Sequence, residues 1–259
     1  MYPEADPALP LTMASSSKKK VLEPLPVPDP DVDPPGSIEV EELVVVRDPA
    51  SGLAEHYRRL RQSIESLNPD GATRTLMMAS ALPGEGKSVA SLNLALTLVE
   101  RPRTNVLVLE ADLRRPSLEG YLQMERTQGL SDLLTGRLDL DHAIRRTSEP
   151  GLDIIGAGSA VENPSKILRV DRLKQVLHAL KQRYDWVIID SPPSHSLTDS
   201  AVIGSVVDGI VMVVRLGRTA RHLVEETIAQ LESSGGNVMG MCLLGAKLPR
   251  KAYDPYGAG

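Results

Sequence analysis

Gly84, Gly86, Lys87 and Ser88 fall within one short run, Ala81-Leu82-Pro83-Gly84-Glu85-Gly86-Lys87-Ser88. Glycines at those places let consecutive backbone N–H groups curl inward with no Cβ in the way, the geometry that cradles a phosphate. A helix beginning at Lys87 points the positive end of its dipole at the same anion. Lys87 then supplies a point charge to the β- and γ-phosphates of a nucleotide, and the Ser88 hydroxyl a ligand for Mg²⁺. The run meets the pattern G-x-x-x-x-G-K-[ST] with Ala81 in the place of the first glycine. ATP with Mg²⁺ is the expected ligand, contacted by Pro83, Gly84, Glu85, Gly86, Lys87, Ser88 and Val89.

Two other segments end in acids. Trp186-Val-Ile-Ile-Asp190 is an apolar run closed by a carboxylate. Such an acid, standing across a sheet from a phosphate loop, holds Mg²⁺ or its water. Val106-Leu-Val-Leu-Glu110-Ala-Asp112 ends in two. On an extended backbone Glu110 and Asp112 point the same way, which suits one to a metal and the other to an attacking hydroxyl. The expected catalytic set is Lys87, Glu110, Asp112 and Asp190, with Ser88, Asp112 and Asp190 as metal ligands.

These residues need strands that end together and helices that start beside them. Thr75–Ser80, Asn105–Glu110, Leu152–Ile155, Trp186–Asp190, Gly209–Arg215 and Val238–Leu244 are short apolar runs of strand length. Helices are expected over Gly52–Leu67, Lys87–Val99, Ile167–Tyr184 and Leu223–Leu231. The alternation predicts an α/β fold, a mostly parallel sheet with helices on both faces. Ligands on such sheets bind beyond the strands' carboxyl ends, where all three motifs fall.

Ten of the twenty prolines precede Ser51, several in alternation as in Pro24-Leu-Pro26-Val-Pro28-Asp-Pro30. Proline lacks the N–H that a ladder needs and restricts its predecessor. Residues 1–45 are therefore expected to be a disordered arm, 46–250 the nucleotide domain and 251–259 a flexible tail. A formal net charge of −5 argues against a nucleic-acid partner. The single cysteine excludes an intramolecular disulfide framework. With no signal pattern and no membrane span in view, a cytoplasmic protein is expected.

From Gly52 to Arg250 the chain resembles the bacterial tyrosine kinases, partners of polysaccharide co-polymerases. The loop ending in Lys87-Ser88 looks like the family's Walker A motif, and Asp112-Leu-Arg114-Arg115-Pro116 like its additional Walker A′ motif. Asp190-Ser-Pro-Pro193 is similar to its Walker B, and Gly129–Gly136 to a segment typical of the family. Glu55, Arg58 and Arg61 match the E-x-x-R-x-x-R helix that mediates ring-like self-association. The resemblance implies a P-loop kinase that passes the γ-phosphoryl of ATP to tyrosines of its own tail, here Tyr253 and Tyr256. It also implies a separate membrane co-polymerase adaptor that recruits the chain to the inner face of the membrane and regulates exopolysaccharide or capsule export.

The sequence departs from the family's pattern at several places. Glu110 stands where the family has aspartate, so Glu110→Asp is expected to raise the rate if the longer acid is misplaced. The tail carries only two tyrosines, and Leu244 occupies the place of an asparagine that reads adenine. A catalytically weak, nucleotide-binding scaffold is the alternative these features keep open. A partitioning-type ATPase is the other, although Leu82 stands where that group carries its extra lysine.

Overall fold

The computed structural model describes residues 41–68, 70, 74–194 and 198–245. The strands are β1 (Arg74–Ala79), β2 (Val106–Glu110), β3 (Arg145–Arg146), β4 (Leu152–Ile155), β5 (Trp186–Asp190), β6 (Gly209–Arg215) and β7 (Val238–Leu244). Among the described residues they make one sheet in the order β3-β4-β2-β5-β1-β6-β7. Every pairing is parallel except β3 with β4. The short antiparallel edge was not legible in the sequence, because two arginines carry no strand pattern.

Ten helices are described: α1 (Val44–Arg47), α2 (Gly52–Ser66), α3 (Lys87–Val99), α4 (Leu118–Tyr121), α5 (Leu130–Leu134), α6 (Leu140–Ala143), α7 (Pro164–Ile167), α8 (Val170–Leu180), α9 (Thr198–Gly204) and α10 (Arg221–Ser233). Strand residues alternate between two cores. Leu76, Met78, Val106, Val108 and Ile188 face α3 with α1 and α2. Met77, Leu107, Leu109, Val187 and Ile189 face the layer that holds Leu173 and Leu177 of α8, Ile203 of α9 and Leu231 of α10. By this two-residue period Glu110 and Asp190 lie on the α3 side, the side on which the phosphate loop turns into its helix.

Helix α3 is apolar on nearly all sides and buried along most of its length, from Ala90 through Leu98. A helix of that kind must be covered on its outer face too. The residues just before α2 supply part of the cover: Leu43 is 0% and Val45 5% exposed. The boundary expected after residue 45 therefore falls inside packed structure, because the apolar run Leu43–Val46 has α3 to rest on. Residues 1–40 and 246–259 lie outside the described residues, as do Tyr253 and Tyr256.

The helix expected over Ile167–Tyr184 is shorter, α8 from Val170 to Leu180, and Ile167 instead ends the separate α7. Arg169 between them is extended, with φ −97° and ψ 138°. Leu168 turns inward there and is 3% exposed, so core packing interrupts a pattern that reads as continuous.

Asn93 of α3 joins the N-terminal segment to the core. Its Oδ1 accepts from Val45 N at 3.2 Å and its Nδ2 donates to Glu42 O at 2.9 Å. Asn93→Ala leaves both backbone groups without these partners. It is expected to lower stability by about 1–3 kcal/mol, measured as the midpoint shift in urea.

Candidate nucleotide site

The loop between β1 and α3 owes its path to two glycines in left-handed conformations, Gly84 at φ +72° and Gly86 at φ +96°. A Cβ at Gly86 would also lie 2.8 Å from Leu244 Cδ1 at the end of β7. The loop is braced in this form. Glu85, 1% exposed, accepts from Leu82 N at 2.9 Å. Ser80 Oγ donates to Leu82 O at 3.0 Å. Arg218, in the segment after β6, donates through Nη1 to Gly84 O at 3.1 Å. Lys87 opens α3 and is largely buried. The cradle is thus shaped in advance, with N–H groups, a helix N-terminus and a lysine converging as anion binding requires.

Asp190 ends β5 beside β1, its Cα in register with Met78 on one side and Glu110 on the other. It is 1% exposed, and neither carboxylate oxygen has a hydrogen-bond partner among the described residues. Burial pushes its pKa up, and the Lys87 ammonium with the nearby Ser88 and Ser91 hydroxyls opposes that rise. A buried carboxylate without hydrogen bonds is costly. A divalent cation placed between it and the Ser88 hydroxyl removes that cost, so this donor set fits Mg²⁺. Ser88 Oγ is already positioned, accepting from Ser117 Oγ at 2.8 Å.

Glu110 is used differently. Its Oε1 accepts from Asp112 N at 3.1 Å, and its Oε2 from Ser117 N at 2.8 Å and Leu118 N at 2.9 Å. It therefore folds the Asp112–Ser117 loop back onto the strand end and caps the start of α4. Burial first, and the neighbouring Asp190 second, push its pKa up against those three N–H groups. Asp112 stands at the mouth of the loop, 7% exposed. Its Oδ1 accepts from Arg114 N at 3.2 Å and Arg115 N at 3.0 Å, and no hydrogen bond to its Oδ2 is seen among the described residues. Of the two acids after β2, Asp112 is the one with an oxygen to spare.

Several contributing residues were not legible in the sequence. Arg114 donates through Nε and Nη2 to Asp199 Oδ2, each at 3.0 Å, and through Nη2 to Ser165 Oγ at 3.0 Å. Asp199 is 2% exposed, and this ion pair ties the loop after β2 to α7 and α9. Asp199, Ser165, Ser117 and Arg218 gave no motif signal, since each meets its partner only through the fold.

On α2 the structure brings Arg58 and Arg61 together on Glu100, the residue after α3. Arg58 is bidentate to it, with Nε–Oε2 at 2.9 Å and Nη2–Oε1 at 2.7 Å. Arg61 reaches Glu100 Oε2 at 3.0 Å and also donates to the Thr97 carbonyl. Glu55 is the exposed member, 3.8 Å from Arg58. The resemblance assigns these three residues to self-association. The structure turns the two arginines toward α3.

The AAA domain family matches residues 73–234. Tyrosine-protein kinase YwqD of Bacillus subtilis is 30% identical over 86% of this chain and 94% of its own length. The tyrosine-protein kinase etk of Escherichia coli is 33% identical over 82% of this chain, which spans 29% of that longer protein. Among solved structures, the kinase domain of Escherichia coli tyrosine kinase ETK superposes with a TM-score of 0.76 at 32% identity, covering 84% of each chain. The septum site-determining protein MinD of Pyrococcus horikoshii shares the fold, with a TM-score of 0.58 at 24% identity over 66% of this chain and 70% of its own.

Glu110 reaches Ser117 and Leu118 only because its side chain is one methylene longer than aspartate. Aspartate at this place would draw its carboxylate back from those two N–H groups, so a loss rather than a gain is expected for Glu110→Asp. That variant is expected to lose about 1–3 kcal/mol of stability and to transfer phosphate more slowly, read by thermal unfolding and by initial rates.

Proposed function

The chain belongs to the bacterial tyrosine-kinase family, and on that premise we propose that it is an ATP-dependent tyrosine autokinase serving exopolysaccharide or capsule export. The observation that carries this reading is the pair of Asp190 oxygens without hydrogen-bond partners among the described residues, buried beside Lys87 and Ser88, with Asp112 buried nearby. Ser88 and Asp190 would hold Mg²⁺, which would supply charge neutralisation to the phosphates, and Asp112 keeps its Oδ2 for the acceptor's proton. Lys87 and the N–H groups from Gly84 to Val89 hold the phosphates in place. A tyrosine oxygen attacks the γ-phosphorus, the bond to the β,γ-bridging oxygen breaks, and ADP departs. The phenol proton passes to Asp112 Oδ2. Catalysis of this kind is mostly positioning and charge stabilisation, and Glu110 contributes by holding the Asp112 loop.

The acceptors in this reading are Tyr253 and Tyr256, outside the described residues, and the transfer runs between subunits of a ring. Glu55 offers the exposed end of the self-association surface, and Glu100 joins Arg58 and Arg61 in it. Among the described residues no helix is long and apolar enough to cross a membrane. Recruitment to the inner face by a separate co-polymerase adaptor fits that observation, with the chain in the cytoplasm. A nucleotide-gated scaffold is the second reading. The engagement of both Glu110 oxygens by backbone N–H groups favours it, since that acid is not free to act on a hydroxyl.

Intact mass after incubation with ATP and Mg²⁺, with and without an adaptor's cytoplasmic tail, tests the proposal. Tyrosine phosphate is expected on Tyr253 or Tyr256. Lys87→Met should lose about 10²-fold or more of it, and Tyr253→Phe with Tyr256→Phe should lose it altogether. Nucleotide binding with no phosphotyrosine under either condition would leave the scaffold reading in its place.

A further inference from the structure

Asp199 lies in the first turn of α9 with its side chain 2% exposed, and residues from two distant loops converge on it. Its Oδ2 accepts from both Nε and Nη2 of Arg114, each at 3.0 Å. Its Oδ1 accepts from Ser165 Oγ, which in turn accepts from Arg114 Nη2 at 3.0 Å. Both oxygens are thus engaged. Ser200, the next residue of α9, donates through Oγ to Pro192 O at 2.9 Å. That bond ties the start of α9 to the segment leaving Asp190.

The other end of this network is Asp112. The two N–H groups that its Oδ1 accepts belong to Arg114 and Arg115, so the direction of the carboxylate follows the backbone at Arg114. Glu110 fixes the two ends of the same loop, at Asp112 N and at Ser117 N with Leu118 N. Between those ends, from Leu113 to Pro116, the hydrogen bonds to other elements among the described residues are those of the Arg114 side chain. Leu113 also packs into the core, but apolar contact is not directional. A buried ion pair is in itself weak evidence for stability, because desolvation opposes the attraction. A guanidinium bonded through two nitrogens does, however, have a defined orientation.

We propose that Asp199, with Ser165, is a positioning residue for phosphoryl transfer. Acting through Arg114, it holds the Asp112 carboxylate in the direction from which Oδ2 receives the proton of the acceptor hydroxyl. The role rests on the kinase reading above and extends it to two residues outside the phosphate loop and the strand-end acids. With both of its oxygens engaged, Asp199 acts through Arg114 and not on a substrate.

Transfer kinetics and hydrogen exchange on the full chain test it together. Asp199→Asn keeps the shape and loses the charge. Its transfer rate at saturating ATP is expected to fall about 10- to 100-fold, the scale of a misplacement near 1 Å. Its Mg·ADP affinity by calorimetry is expected to stay within about threefold of the parent chain's. With Mg·ADP bound, the amides of Arg114 and Arg115 are expected to exchange about tenfold faster or more. Ser165→Ala, which keeps the ion pair, is expected to lose about three- to tenfold in rate. Equal losses of rate and affinity in Asp199→Asn would mean general damage to the site and would overturn the proposal. So would exchange at Arg114 and Arg115 as slow as in the parent chain. If Asp199→Asn does not fold, Arg114→Lys takes its place, since lysine keeps the charge and loses the fork; an undiminished transfer rate there overturns the proposal equally. A parent chain that binds Mg·ADP and yields no phosphotyrosine defeats the kinase reading, and the positioning role with it. A parent chain that transfers phosphate no faster than Asp199→Asn defeats the positioning role alone.

Discussion

Parallel pairing of β2, β5 and β1 in register is the constraint on which the site depends. It sets Glu110 opposite Asp190 and Asp190 opposite Met78, so two carboxylates and a phosphate loop emerge at one edge of the sheet. A shift of one residue in either pairing would turn an acid to the opposite core. The apolar alternation of all three strands between two filled cores opposes such a shift, because burial of every strand residue would change sides with it.

Placing two acids together in a buried position is unfavourable unless something offsets it. The chain resolves the conflict unequally. Glu110 receives three backbone N–H groups and becomes part of the scaffold. Asp190 receives none from the described residues and faces Lys87. The first acid's hydrogen-bonding capacity goes to loop geometry, and the second's oxygens are left without hydrogen-bond partners among the described residues. The same division appears in the arginines after β2. Arg114 is bound to Ser165 and to buried Asp199, whereas no bond of the Arg115 side chain is seen among the described residues.

The interactions around α3 connect the site to the rest of the domain. The helix begins in the phosphate cradle and runs between the sheet and α2. Its far end carries Glu100, which gathers Arg58 and Arg61. A helix so enclosed transmits displacement as a rigid element rather than absorbing it.

The sequence by itself determined the phosphate loop, the acids at the ends of β2 and β5 and the alternation that makes a parallel sheet. These are local properties: glycine permissiveness, apolar run length and the two-residue period are legible within a few neighbours. Tertiary structure alone decided which acid does what. Glu110 and Asp112 look equivalent in a line of text, and only the loop's return to Ser117 and Leu118 separates the acid with both oxygens engaged from the acid with one. It likewise split the segment after Asn163 into two helices, drew Leu43 and Val45 into the core, turned Arg58 and Arg61 toward Glu100 and laid Arg218 over Gly84. Each of these rests on contacts between residues far apart in the chain, whose existence depends on strand order, and strand order is not written in any local spacing.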